Sequence, residues 1–191
     1  MSRAFLILHG IENHRPPGHW QHWLAGRLGE HGHQVLYPGL PEPDAPSLPA
    51  WQASLRAHLD ELDGAAERVA ICHSLACLLW FITASALTAE QRVDRLMLVA
   101  PPAPDRLPEG GADFRTGFDP AAVRPSVRGE LAMVCSDFDP YNPAGAQPMY
   151  GEPIGATALV IEGAGHFTPD SGYGPWPFME AWCLGAPRSQ A

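Results

Sequence analysis

Short apolar runs alternate along this chain with longer stretches in which apolar residues recur every three or four positions. The runs AFLIL (4–8), QVLY (34–37), VAIC (69–72), LMLVA (96–100), LAMVCS (131–136) and ALVI (158–161) have the length and composition of buried strands. Between them the periodicity predicts helices near 20–30, 50–62 and 75–86, and a closing helix over 177–184. Strands that alternate with helices and lack hairpin turns imply crossover connections. The expected fold is therefore α/β, a mostly parallel sheet of about six strands with helices on both faces.

Twenty-one prolines punctuate this pattern. PGLPEPDAPSLP (38–49) follows the second strand and PPAPDRLPEGG (101–111) the fourth, which places both loops at strand C-terminal ends, where open α/β sheets bind ligands. The second loop runs on to about residue 125 without helical periodicity. It is too short for a large cap domain and reads as either a functional rim or a partly mobile loop.

A length of 191 residues, 46% of them hydrophobic, suits one domain over 1–191. No run reaches the roughly 18 apolar residues of a membrane span, and AFLIL is too short for a signal-peptide core. A cytoplasmic protein with no membrane association is expected. The formal charge of −9 is spread along the chain, which argues against nucleic acid as a partner. Cys72, Cys77, Cys135 and Cys183 contain no C-x-x-C pair and read as reduced, buried thiols. Six of the nine histidines lie between His9 and His33, but none has zinc-site spacing, so no metal is expected.

One joint stands out. In VAICHSLACLLW (69–80) a strand runs directly into a helix, and Ser74 sits where they meet. A residue on such a turn is lifted above the sheet end, beside the unpaired N–H groups of a helix N-terminus. The usual pattern is G-x-S-x-G; here the flanking small residues are Cys72 and Ala76. Taken alone, Ser74 is equally a helix N-cap. Cys72, on the strand side, would point into the core.

Later residues favour a nucleophile. DFDPYNP, after the fifth strand, offers Asp137 and Asp139, and AGHFTPDSGYGPW, after the sixth, offers His166. Serine, then acid, then histidine is the chain order of a hydrolytic triad on this type of sheet. The oxyanion donors would be the backbone N–H of Leu75 and one just past Gly10, Ile11 first and Glu12 second.

These segments together resemble the small serine hydrolases of the α/β-hydrolase superfamily, typified by retinoblastoma-binding protein 9 and bacterial YdeN-type proteins. HG after the first strand, GHWQHW (18–23), Trp51, CHSLA, SDFDPY (136–141) and GAGHF with SGYGPWP (171–177) fall in that family's order, and the resemblance is weakest over 101–129. It implies an α/β-hydrolase fold with no large cap, and Asp139 as the acid. The expected activity is a carboxylesterase acting on a small ester or amide substrate through Ser74, His166 and Asp139, with no cofactor. The alternative is a binding protein on the same fold with little turnover. Trp20, Phe167, Tyr173 and Trp176 are the expected substrate-binding wall. No protein partner can be read from the sequence.

Overall fold

The computed structural model describes residues 3–62 and 64–185. Its six strands are β1 (Arg3–Leu8), β2 (Gln34–Leu36), β3 (Glu67–His73), β4 (Val93–Val99), β5 (Val127–Ser136) and β6 (Thr157–Ile161). They form one sheet in the order β2-β1-β3-β4-β5-β6, and every neighbouring pair is parallel. The helices are α1 (Trp20–Glu30), α2 (Leu48–Glu61), α3 (Leu75–Thr83), the short α4 (Pro120–Val123) and α5 (Glu152–Ile154), and α6 (Pro177–Leu184). All six predicted strands and all four predicted helices are present. No helix among the described residues is long and apolar enough to cross a membrane.

The sheet separates two apolar layers. On one face Leu6, Leu8, Ala70, Cys72 and Leu98 pack against α2 and α3. On the other Phe5, Ile7, Ile71, Met97 and Val99 pack against α1 and α6. The alternation of strand side chains produces this division directly. Helix α3 departs from expectation: only Ile82 in it is not fully buried, so it is a core helix rather than one with a single apolar face.

Strands β3, β4 and β5 begin earlier than their apolar runs. Arg3, Glu67, Arg95 and Glu130 stand on four neighbouring strands with alternating charge. Arg3 Nε lies 2.5 Å from Glu67, and Arg95 lies 3.5 Å from Glu67 and 3.0 Å from Glu130. The Arg95 guanidinium also covers the Trp182 ring at 4.0 Å. Paired charges thus continue the strands beyond their apolar runs.

The 101–125 segment is ordered by contacts distant in sequence. Asn142 Nδ2 donates to the Pro101 carbonyl at 3.0 Å and Tyr150 Oη to that of Pro102 at 2.8 Å. Gly110 lies against the 38–49 loop so closely that a Cβ there would meet the Asp44 carbonyl oxygen at 2.6 Å. Three-ten turns (Pro104–Arg106 and Glu109–Arg115) then lead into α4.

Candidate active site

Ser74 follows β3 directly and has φ 56° and ψ −124°, a conformation that L-residues rarely adopt. Its N–H is tied to the Val99 carbonyl at 2.9 Å, so the end of β4 helps hold the turn. Cys72 and Ala76, on either side of it in sequence, are both fully buried in the core. Burial also raises the Cys72 thiol well above its ordinary pKa, so it stays protonated and unreactive. Leu75 opens α3, and its N–H belongs to the unpaired first turn.

His166 reaches this turn from the loop after β6. Its Nε2 is 2.8 Å from Ser74 Oγ, and its Nδ1 lies 2.8 and 3.0 Å from the two carboxylate oxygens of Asp139. With Asp139 accepting at Nδ1, the ring proton sits there and Nε2 is left to accept from the serine hydroxyl. Asp139 is buried and also accepts from the Tyr141 N–H at 2.9 Å. Asp137 is exposed and instead accepts from the Gly163 N–H at 2.7 Å, outside the Ser–His relay.

The loop after β1 approaches from the other side. A Cβ on Gly10 would stand 2.7 Å from Ser74 Cβ and 3.0 Å from its Oγ. Glycine is required by that approach. Gly10→Ala is expected to push the serine or this loop aside and lower kcat by about 10²-fold, as small misplacements in active sites do. Turnover measured beside the thermal midpoint checks this; wild-type kcat would show that the loop has room. The Glu12 N–H, the second oxyanion candidate, donates to the Pro43 carbonyl at 2.8 Å. That engagement leaves Ile11 as the candidate on this loop.

Above Ser74 opens a cleft of about 590 Å³ whose walls include Ile11, Asn13, Pro102, Arg106, Leu107 and Tyr141. This corrects the expected aromatic wall. Trp20, Phe167, Tyr173 and Trp176 are not among the residues lining the cleft; their rings pack against one another, mostly tilted or edge-on, with centroid distances of 4.7–5.3 Å. Trp20, Phe167 and Trp176 are buried in the core with Tyr173 half-buried against them, and Trp20 Nε1 donates to the Phe167 carbonyl at 2.9 Å. The 101–125 segment supplies Pro102, Arg106 and Leu107, whose only sequence signal was the position of that loop after β4, and the loops after β1 and β5 supply Asn13 and Tyr141.

Three further histidines lie close by. His9 is held between the Gly10 carbonyl and the Leu40 N–H, His19 caps α1 through Gln21 N, and His73 Nε2 lies 2.9 Å from the His166 carbonyl. Burial lowers the pKa of all three, that of His19 to about 4. The unfolded chain binds protons at these rings as pH falls below 6.5, whereas folded His19 does so only near pH 4. Acid therefore favours unfolding across that window, by about 3 kcal/mol through His19 alone. Urea unfolding at pH 7 and pH 4.5 should show the loss, and His19→Gln should reduce it. An unchanged pH dependence in the variant contradicts the assignment. No group of three or more His, Cys, Asp or Glu among the described residues could hold a metal ion.

The sequence profile of the serine hydrolase family matches residues 5–183, and the chain belongs to that family. A sequence comparison with curated proteins found no match. Among solved structures, the ydeN gene product of B. subtilis superposes with a TM-score of 0.80 at 23% identity, over 97% of this chain and 98% of that one. A YdeN-like hydrolase of Pectobacterium atrosepticum gives 0.72 at 20% identity over 96% and 90%. The esterase domain of a Rhodothermus marinus protein gives 0.67 at 15% over 95% and 85%. These similarities establish the α/β-hydrolase fold.

Proposed function

We propose that this protein hydrolyses carboxylic esters with short acyl groups, using Ser74 as nucleophile, His166 as general base and Asp139 as the group that orients it. The observation that carries the reading is the unbroken relay from Ser74 Oγ through His166 to Asp139, set on a strained turn at the floor of an open cleft. His166 Nε2 takes the hydroxyl proton as Oγ attacks the substrate carbonyl. The N–H groups of Leu75 and Ile11 receive the resulting oxyanion. His166 then returns the proton to the departing alcohol, which leaves an acyl-serine ester. Water activated by the same imidazole releases the acid, and Asp139 stabilises the imidazolium each time it forms.

A fluorophosphonate probe tests the reading directly, because it reacts with activated serines. Stoichiometric labelling of Ser74 supports it, and an unlabelled wild-type protein overturns it. The likeness in fold to the Rhodothermus marinus esterase domain adds support for the ester class.

Acyl length follows from the cleft. Its volume lies within the ordinary range for small-ligand sites, but Glu12, Asn13, Arg106 and Asp170 share the walls with apolar residues. Each methylene gains roughly 0.8 kcal/mol only where apolar surface meets it. kcat/KM on p-nitrophenyl esters is expected to peak between acetate and about hexanoate. A steady rise through dodecanoate would reveal a long apolar tunnel instead.

A further inference from the structure

The loop that carries His166 has little regular structure to hold it. Gly163, Gly165 and Phe167 all have positive φ, at 64°, 62° and 53°, and Phe167 lacks the freedom of glycine there. Such a backbone persists only where its surroundings fix it. Two side chains do so at consecutive peptide groups: Trp20 Nε1–H donates to the Phe167 carbonyl, and His73 Nε2–H donates to the His166 carbonyl, both at 2.9 Å.

His73 is the last residue of β3, bonded directly to Ser74. Its ring is buried, with those of His166, His19 and Trp20 at 5.2, 5.3 and 5.7 Å. Its Nδ1 has no hydrogen-bond partner among the described residues. A buried, unpaired acceptor opposes folding, and an aliphatic side chain would not introduce one. Packing alone therefore does not account for a histidine at this position. Burial keeps the ring neutral, so it carries a single N–H, and that N–H points to the His166 carbonyl.

We propose that His73 is a positioning residue: its hydrogen bond to the His166 carbonyl ties the backbone of the base to the strand that carries the nucleophile, and so sets the reach of the imidazole to Ser74 and Asp139. The inference rests on the Ser74–His166–Asp139 reading above. It makes the residue before the serine part of the catalytic geometry, in addition to its place in the turn.

Glutamine and asparagine variants separate this role from packing. The side-chain amide of glutamine can reach the position of Nε2, whereas that of asparagine stops near Nδ1, and leucine removes the donor altogether. His73→Asn and His73→Leu are expected to lower kcat by about 10²-fold with KM little changed, while His73→Gln recovers most of it. A readout independent of turnover is the far-downfield proton resonance of His166 Nδ1–H against Asp139, expected in the wild type and in His73→Gln and lost or broadened in His73→Asn. If His73→Leu fails to fold, the glutamine–asparagine comparison decides alone. Wild-type kcat and resonance in His73→Asn, or an equal loss in His73→Gln and His73→Asn, overturns the proposal. Failure of the wild-type protein to label at Ser74 would instead overturn the triad reading beneath it.

Discussion

Ser74→Ala is expected to abolish fluorophosphonate labelling and to lower kcat by about 10⁶, the scale seen when the nucleophile of a comparable triad is removed. The fold should survive. Ser74 Oγ has its hydrogen bond to His166 and stands at the floor of the cleft, so removing it costs the surrounding core no contact of consequence. Alanine meets the same positive φ that serine already tolerates. An unchanged thermal midpoint beside lost labelling separates chemistry from folding. Labelling that persists in the variant would move the nucleophile elsewhere. The obvious substitute, Cys72, is fully buried with its thiol held protonated, so Cys72→Ser should leave labelling in place.

The sequence carried the fold because β1, β3, β4 and β5 have core-facing apolar runs, and apolar patterning is what burial selects; β2 and β6, at the sheet edges, kept the strand pattern although Leu159 and Val160 are exposed. It misplaced strand starts where another force took over. Glu67, Arg95 and Glu130 lie outside the apolar runs, yet each is paired with opposite charge on the next strand, a complementarity that appears only once the register is known. The strand-to-helix turn at Ser74 was legible for the opposite reason: Ser74, Cys72 and Ala76 are local, and the steric demand for small residues acts within five positions.

The cleft was not legible in this way. An aromatic residue near a catalytic motif can line a site or support it from behind, and both positions reward apolar area. Trp20, Phe167 and Trp176 proved to be supports, because their rings find one another across about 150 residues of chain. The loop over 101–125 was equally opaque, since it is held by hydrogen bonds from Asn142 and Tyr150 rather than by any periodicity of its own. His73 lay in plain view beside Ser74, but its role depends on a carbonyl 93 positions away.

The two aspartates give the sharpest division of roles. Asp139→Asn is expected to lower kcat by about 10⁴, as loss of the orienting acid does in an analogous triad. The carboxylate accepts from His166 Nδ1 with both oxygens and is buried beside it, so an amide there removes the charge that stabilises the imidazolium. It also presents an N–H₂ that favours the wrong tautomer, with the proton on Nε2, where it can no longer accept from Ser74. Asp137→Asn should change kcat little. Its carboxylate is exposed and accepts from the Gly163 N–H, and an asparagine carbonyl oxygen can take over that bond without charge. Steady-state kinetics of both variants, each checked for an unaltered fold, decide between them. A ranking in which Asp137→Asn is the more damaging would transfer the acid to the other carboxylate and require the His166 loop to move, because Asp137 lies outside the relay that now joins Asp139 to Ser74.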